Sequence, residues 1–339
     1  MHSSEPSVSV VIPTFRRAHM LLGAIRSALM QGGDILEVIV VDDNRDQLHA
    51  DQVRQVLEGV GDPRLVYLRN EGAPGGSASR NVGIRQARAP ILAFLDDDDH
   101  WLPGKIAAQL ALMEPGIVGV DCGYIERDDA WGLMLEIVGD GQRKTQAQLL
   151  AGYCPTSTSL VMLRREEALK AGLFDERIAS FEDFDFWVRC AAFGDFTTLA
   201  EPKCVYVQHS GYRLSVAVEA RLKGLDEFLE RWGPHIGDSA TVAKLRNHWR
   251  LVAFATNARR TLDTDRLESL RYAWSALCTH PRKVNGWQSL LFGLIGFYAA
   301  RRLSQARNAS LNLVAERRQV LVDWERTIRY EGDMLAARH

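Results

Sequence analysis

The sequence predicts an α/β fold, with a mostly parallel central sheet flanked by helices and a mostly helical C-terminal appendage. Two observations predict it. Over the first hundred residues, short β-branched runs alternate with helical patterns, which is typical of a parallel sheet covered on both faces. From about residue 216, helical patterns dominate. We therefore expect an α/β domain over residues 1–215 and a helical region over residues 216–339, with the boundary between 215 and 240.

The elements of the α/β part can be assigned in chain order. Strands are predicted where β-branched or apolar residues run together and end at a turn signal. The predicted strands are residues 8–13, 37–43, 64–68, 90–95, 117–125, 158–163 and 203–209. Apolar residues at helical spacing predict the helices 18–31, 50–60, 77–87 and 181–193. In such sheets, ligands bind beyond the carboxyl ends of the strands, so polar residues that follow strands are the first candidates for a site.

Composition excludes several classes of protein. The chain has 339 residues, 46% hydrophobic and 25% charged, with a net charge of −2, which suits a globular protein rather than a nucleic-acid binder. The last hundred residues hold 17 Lys/Arg against 8 Asp/Glu, whereas the first 239 hold 24 against 35, so the two parts are expected to have different partners. Five cysteines without a CxxC indicate neither a disulfide framework nor a thiolate zinc site.

No targeting or membrane-spanning segment is predicted. The start of the chain lacks the pattern of a signal peptide, and no apolar run reaches the ~18 residues that a membrane span needs. We expect a cytoplasmic protein, and attachment to the inner face of the cell membrane stays open.

Residues 94–101, FLDDDDHW, place four aspartates directly after a predicted buried strand. Adjacent carboxylates repel one another and are costly to remove from water. One interpretation is a solvated acidic turn. The other is a site for Mg²⁺ or Mn²⁺, which take hard oxygen ligands and share them with a substrate diphosphate.

Two further strand ends carry candidate binding groups. Asp42 follows the second strand, where a carboxylate can accept hydrogen bonds from a nucleobase or a ribose, although a turn-capping role is the alternative. The segment GAPGGSASRNVGI, residues 72–84, combines a glycine loop with Arg80 near a helix start, a suitable place for an acidic group or a phosphate. It contains no GxGxxG pattern and is not a dinucleotide-binding fingerprint.

A third acidic cluster lies in FEDFDFW, residues 181–187, where Glu182, Asp183 and Asp185 stand among aromatic residues. Apolar surroundings raise the pKa of a carboxylate and make it a better general base. The alternative is an ordinary amphipathic helix in which Arg189 pairs with Asp185. His209 ends a predicted strand and is a metal ligand or a structural residue.

These segments occur in one order: VVIPTF, VVDDN, GGSASRNVGI, FLDDDDHWLP and GLFDERIASFEDFDFWVR. The series resembles the family 2 glycosyltransferases of GT-A fold, and the resemblance covers residues 6–215. It implies a nucleotide-diphospho-sugar donor, a divalent metal (Mn²⁺ or Mg²⁺) and transfer to an acceptor hydroxyl by single displacement with inversion. The acceptors implied are saccharides, including lipid-linked saccharides of cell-surface polysaccharide synthesis.

The resemblance also implies roles for individual residues. Carried over by position, they are Pro13, Thr14, Asp42, Arg80 and Asp96 for the donor nucleotide, Asp98 and His209 for the metal, Asp183 as the catalytic base, and Glu182, Asp185 and Trp101 for the acceptor side or as supporting residues. Because four aspartates are consecutive, Asp97 and Asp99 are alternatives in the neighbouring register.

Three other functions are alternatives to this reading of the sequence. An aspartyl phosphatase needs Thr or Val where His100 or Trp101 stands, and a sugar-nucleotide pyrophosphorylase needs a glycine-rich loop after the first strand, where no glycine occurs before Gly23. A non-catalytic nucleotide-sugar binder would lack a base, so residues 181–187 argue against it without excluding it. The sequence does not specify the donor sugar, the nucleobase, the acceptor or the linkage.

The C-terminal region contains one long apolar run, residues 290–300. It is too short to span a bilayer, so an apolar helix there is either buried or partly in lipid. Basic residues flank the run, which would favour an anionic surface. They are Arg282, Lys283, Arg301, Arg302 and Arg307. Peripheral membrane contact and self-association through these helices both stay open.

Overall fold

The structure is a computed structural model that describes residues 7–152, 154–208 and 218–310, together with Trp324 and Thr327. The strands in the described residues are β1 Val8–Thr14, β2 Ile35–Asp42, β3 Leu65–Arg69, β4 Ile91–Phe94, β5 His100–Trp101, β6 Ile117–Asp128, β7 Leu133–Ile137, β8 Arg143–Lys144, β9 Met162–Arg164 and β10 Asp195–Gln208. The helices are α1 Ala18–Leu29, α2 Gln47–Val60, α3 Gly76–Gln86, α4 Lys105–Leu110, α5 Gln146–Leu150, α6 Arg165–Lys170, α7 Glu182–Cys190, α8 Val218–Ile236, α9 Ser239–Thr261, α10 Arg266–Thr279, α11 Val284–Ile295 and α12 Phe297–Ser310.

One mixed sheet organises the α/β part, with the strand order β3-β2-β1-β4-β9-β6-β10-β5. Strands β1 to β4 are parallel, β9 runs antiparallel to β4 and β6, and β6 is parallel to β10. Thr14 pairs with Asp42 at the carboxyl ends of β1 and β2, and the aspartate run begins just after β4. The predicted α/β fold is confirmed, and these polar residues meet at one edge of the sheet.

The predicted strand at residues 158–163 is wrong in its first half. Residues Thr158–Leu160 form a 3₁₀ turn, and the strand begins only at Met162. The Ser157 side chain accepts a hydrogen bond from the amide of Ser159 and so caps the turn, a local alternative to strand pairing that serine readily provides. The turn brings Thr158 and Ser159 to the aspartates.

Helix α3 lies close to the sheet because Gly83 has no side chain. A Cβ on Gly83 would come within 2.4 Å of Val11 Cγ1, so a larger residue would push α3 away from β1. Behind the same strands, the rings of Phe94, Phe174 and Trp187 pack at centroid separations of 5.8–5.9 Å. This packing fixes α3 and α7 against the sheet, and both helices contribute to the site.

The helical region is joined to the sheet by the β6–β7 hairpin. Trp131 at the hairpin tip is buried and packs against Phe292 and Phe297, with ring centroids 5.6 and 5.4 Å away. The guanidinium of Arg259 lies 4.6 Å from the centre of the Trp131 ring and pairs with Asp128 at 3.0 Å. An aromatic anchor of this size holds the hairpin in the helical region.

The apolar run at residues 290–300 is not one helix. Helix α11 ends at Gly296, whose φ of +82° lies in the region that favours glycine, and α12 begins at Phe297. Part of the run is buried against Trp131, but Leu291, Leu294 and Tyr298 are exposed by 49%, 59% and 80%. Within the described residues, no helix is both long and apolar enough to cross a bilayer.

Candidate active site

The four aspartates can lie next to one another because polar groups of the protein bind each carboxylate. Asp96 receives a hydrogen bond from Arg80 at 2.6 Å, and Asp97 receives one from the Thr14 hydroxyl at 2.7 Å. Arg17, at the start of α1, pairs with Asp97 at 2.7 Å and with Asp98 at 2.6 Å. The cations and hydroxyls therefore offset the repulsion within the run.

Asp99 is enclosed by the 3₁₀ turn and β10. It is fully buried, and its two carboxylate oxygens accept hydrogen bonds from the Ser159 hydroxyl at 2.6 Å and the Val207 amide at 2.9 Å. This arrangement ties the aspartate loop to the 3₁₀ turn and to β10. Asp99 thus fixes the position of its neighbours in the loop.

Asp96, Asp98 and Asp99 offer carboxylate oxygens that all lie within 4.8 Å of one another. Three hard oxygen ligands at such separations suit Mg²⁺ or Mn²⁺, which usually complete their coordination with water and substrate phosphates. Asp97 does not belong to this cluster. Burial raises the pKa of Asp97 to about 7, with the charge of Arg17 acting in the opposite direction.

The surroundings of Asp42, for which the sequence predicts nucleotide binding, are more enclosed than expected. Asp42 is buried, and one of its carboxylate oxygens accepts from the backbone and side chain of Asn44 at 2.8 and 2.7 Å. The other oxygen accepts from the Tyr67 hydroxyl at 2.8 Å. Pro13, at the end of β1, is partly exposed and precedes Thr14. A nucleobase at Asp42 would have to share the carboxylate with Tyr67 or Asn44.

The acidic pair Glu182–Asp183 opens helix α7. The preceding residue, Phe181, has a φ of 65°, a left-handed conformation that is costly for an aromatic residue and is concentrated at functional sites. Asp183 accepts a hydrogen bond from the Phe184 amide at 2.8 Å. Burial raises the pKa of Asp183 to about 6, and burial and then the charge of Asp183 raise the pKa of Glu182 to about 7.

Arg80 connects the aspartate cluster with the acidic pair. Its guanidinium bonds Asp96 at 2.6 Å and lies 4.0 Å from the Glu182 carboxylate. The side chain is 9% exposed and passes over the Phe174 ring at 5.7 Å. The structure therefore brings Arg80, Asp96, Asp98 and the Glu182–Asp183 pair into one site.

Two predicted residues lie behind this site. Asp185 is buried and receives hydrogen bonds from Arg189 and Arg231 at 2.8 Å and from the Trp232 indole at 3.0 Å. The Arg189–Asp185 pair is present as the helix interpretation predicted. Trp101 is fully buried, and its indole nitrogen donates to the Ser159 carbonyl at 2.8 Å.

His209 lies outside the described residues. The sequence reasoning missed Arg17, Thr158 and Ser159, which contact the aspartate run directly. A basic residue that opens the helix after β1 was a usable signal for Arg17. Nothing in the sequence distinguishes Thr158 and Ser159 from other polar residues.

Comparison with known proteins identifies a family domain in the first half of the chain. The family model for glycosyl transferase family 2 matches residues 9–172. The chain carries a family 2 glycosyltransferase domain. Among bacterial relatives, WfaP of Escherichia coli, a UDP-Glc:α-D-GlcNAc-diphosphoundecaprenol β-1,3-glucosyltransferase, is 27% identical over 160 residues, which are 47% of this chain and 61% of WfaP. Two other glycosyltransferase relatives are spanned by the chain over 38% and 58% of their lengths.

Two solved structures show the same fold. S. aureus TarS residues 1–349 in complex with UDP-GlcNAc has a TM-score of 0.53 and 18% identity, covering 85% of this chain and 79% of that one. The mannosyltransferase PcManGT from Pyrobaculum calidifontis, in complex with GDP-Man and Mn²⁺, has a TM-score of 0.52 and 16% identity, covering 97% of this chain and 88% of that one. At this level of identity the likeness concerns the fold.

Proposed function

We propose that the protein is an inverting glycosyltransferase that moves a sugar from a nucleotide-diphospho-sugar to an acceptor hydroxyl. The observation that carries the proposal is the position of Arg80, which bonds Asp96 in the carboxylate cluster and lies beside the Glu182–Asp183 pair. A single site thus combines groups for a metal and a diphosphate with a carboxylate suited to be a base.

Donor binding is assigned to the sheet edge. Asp98 would hold Mn²⁺ or Mg²⁺ together with Asp96 or Asp99, and the ion would neutralise negative charge on the leaving diphosphate. Arg80 supplies a fixed positive charge beneath the same group. Pro13, Thr14 and Asp42 would line the nucleoside pocket, and His209 stays a proposed further ligand. The fold neighbour PcManGT is in complex with GDP-Man and Mn²⁺, which supports a nucleotide sugar and a divalent ion as the bound molecules.

Asp183 is assigned as the general base. It takes the proton from the acceptor hydroxyl while that oxygen bonds to the anomeric carbon from the face opposite the diphosphate. The bond from the anomeric carbon to the diphosphate oxygen breaks, and its electron pair leaves with the nucleoside diphosphate. A pKa of about 6 leaves Asp183 ionised at neutral pH and basic enough to accept a proton. Glu182, Asp185 and Trp101 are assigned to the acceptor side or to support.

The acceptor is proposed to be a lipid-linked saccharide at a membrane surface. WfaP, whose named acceptor is a diphosphoundecaprenol-linked sugar, supports the acceptor class. The exposed apolar residues of α10–α12 support the location. They are Leu267, Trp274, Val284, Trp287, Leu291, Leu294, Ile295, Tyr298 and Leu303. Residues 266–310 also hold seven Lys/Arg and one acidic residue, Glu268, so this apolar face is complementary to anionic lipid.

The direct test is a transfer assay with a panel of nucleotide sugars, Mn²⁺ and lipid-linked saccharides. We expect one donor to release nucleoside diphosphate faster when an acceptor is present, and mass spectrometry to find one added sugar on the acceptor. NMR of the new linkage reports inversion or retention. Donor binding without release or transfer across the panel would favour the alternative, a non-catalytic nucleotide-sugar binder.

A further inference from the structure

Helix α8 brings a basic residue from the C-terminal region to the catalytic pair. Its Gly224 lies directly on the backbone that leads to Asp183, since a Cβ there would come within 2.2 Å of the Ser180 carbonyl oxygen. One turn further on, the Phe228 ring packs against Phe181 at 6.0 Å. These contacts fix the first turns of α8 beside the start of α7.

Arg221 lies one turn before Gly224 and is half-buried. Residues 221 and 224 lie on the same face of α8, so the contact of Gly224 with Ser180 places Arg221 beside the start of α7. Burial lowers the pKa of Arg221, whereas the nearby Tyr206 and Asp183 act to raise it. Within residues 7–152, 154–208 and 218–310, no hydrogen bond or ion pair to Arg221 is found. A partly desolvated cation without a counterion is costly.

The arginines around the site differ from Arg221 in this respect. Arg17 pairs with Asp97 and Asp98, Arg80 pairs with Asp96, and Arg231 pairs with Asp175 and Asp185. Each of these three has a counterion, whereas none for Arg221 lies in the part of the chain that the structure describes. An arginine in such a position is suited to a phosphate, which it can bind through two parallel hydrogen bonds.

The surroundings of Arg221 indicate whether that phosphate would belong to the donor or to the acceptor. The donor diphosphate is assigned to Arg80 and the carboxylate cluster. Arg221 instead lies near Tyr206 and Asp183, whose charges act to raise its pKa. Tyr206 packs edge to face on Tyr124 with ring centroids 6.0 Å apart, and aromatic rings of this kind can pack against a sugar ring. A phosphate at Arg221 would therefore belong to the molecule whose hydroxyl meets Asp183.

We propose that Arg221 binds a phosphate group carried by the acceptor, and so selects acceptors in which the sugar is linked to a phosphate or diphosphate. The inference rests on the proposed function, because it takes Asp183 as the base at the acceptor hydroxyl. It adds an anchoring group that the helical region supplies to the catalytic site.

The test uses the full chain with Mn²⁺ and a saturating nucleoside diphosphate, UDP or GDP, whichever binds. Glucose 1-phosphate is titrated as the phosphate-bearing probe and methyl glucoside as the phosphate-free one, with thermal stability as the readout at constant ionic strength. Arg221→Gln is compared with the wild type. Lys223→Gln is the matched control, since Lys223 lies on the same helix with its side chain 73% exposed.

We expect Arg221→Gln to weaken glucose 1-phosphate binding about 10-fold to 100-fold, as for loss of a charged hydrogen-bonded pair. Lys223→Gln should bind like the wild type, and neither change should alter binding of methyl glucoside or of the nucleotide. Without ligand, Arg221→Gln should be at least as heat-stable as the wild type, because an unpaired buried charge is removed.

Several results would overturn the proposal. They are a wild type that does not bind glucose 1-phosphate, equal binding by Arg221→Gln, or a parallel loss of nucleotide affinity, which would place Arg221 at the donor. A marked loss of heat stability in Arg221→Gln would make it a structural residue. Failure of the proposed function is separate, since it would appear as a wild type that binds neither UDP nor GDP in the presence of Mn²⁺.

Discussion

Asp183 and Asp185 lie two residues apart on the same helix, and their replacement by asparagine should have opposite effects on stability. Asp183 opens α7, next to Glu182, with one hydrogen bond from the Phe184 amide, which an asparagine oxygen could still accept. Asp185 is held by Arg189, Arg231 and the Trp232 indole. The first carboxylate is the proposed base, and the second is held by buried hydrogen bonds.

The expected size of the Asp183 effect follows from its pKa, which burial raises from 3.8 to about 6. Because the folded-state pKa is the higher one, the protonated group favours the fold below about pH 4, and this contribution is lost as the pH rises through 6. Two pKa units correspond to about 3 kcal/mol, which partial exposure and shared titration with Glu182 reduce to about 1–2 kcal/mol. At pH 8, Asp183→Asn should therefore raise the melting temperature by about 1–3 °C, and at pH 4 by much less.

Asp185→Asn should act in the other direction. It leaves the Arg189 guanidinium without its buried counterion and Arg231 with Asp175 alone, and removing one partner of a buried pair costs about 3–5 kcal/mol. Its melting temperature should fall by several degrees at both pH values. Nucleotide affinity should persist in the folded fraction, because Asp185 lies behind the site.

The assay combines thermal unfolding at pH 4 and pH 8 with sugar transfer at pH 8 for the wild type and both variants. Asp183→Asn should lose a factor of about 10²–10⁴ in the transfer rate and keep its donor affinity. Transfer near the wild-type rate would move the base to another residue, Glu182 first. A less stable Asp183→Asn, or a parallel loss of donor affinity, would make Asp183 a structural or binding residue and refute the reasoning.

Two further predictions follow from the acidic pair and the apolar face. The transfer rate at saturating donor and Mn²⁺ should fall as the pH drops through about 7 to 6, where Glu182 and Asp183 take up protons, and a flat profile from pH 8 to 5 would contradict this. The double variant Trp287→Glu with Leu291→Glu should sediment at least about 10-fold less with phosphatidylglycerol vesicles than the wild type. Leu48→Glu, an exposed leucine on α2, should leave binding unchanged, and equal sedimentation of all three proteins would remove the membrane proposal.

Much of the fold could be predicted because local patterns and tertiary packing agree in the first hundred residues. Runs such as VSVVIP and PILAFL read as buried strands, and both lie in the centre of the sheet. The strand prediction was wrong for residues 158–160, because the side chains of Ser157 and Ser159 make hydrogen bonds that a periodicity pattern does not reveal. The expectation of one helix over residues 290–300 was wrong, because Gly296 divides this apolar run into two helices.

The candidate site could be predicted where the chain itself places charges together. The aspartates of residues 96–99 and the Glu182–Asp183 pair are each contiguous in sequence, so the sequence alone marks them as candidate site residues. The enclosure of Asp42 by Tyr67, and the approach of Arg17 and Arg221, depend on contacts between distant segments. Such contacts arise only when the sheet and helices pack, so no local pattern could reveal them.

The proposed metal-dependent donor site lies at Asp98, and calorimetry of UDP and GDP binding with and without Mn²⁺ tests it most directly. For the wild type we predict binding of one of the two nucleotides that strengthens at least about 10-fold with Mn²⁺. Asp98→Ala should lose this metal dependence, whereas Asp226→Ala, at an exposed ion pair with Arg246, should keep it. Metal-dependent affinity that is unchanged in Asp98→Ala, or wild-type binding that does not depend on Mn²⁺, would contradict a metal site at Asp98.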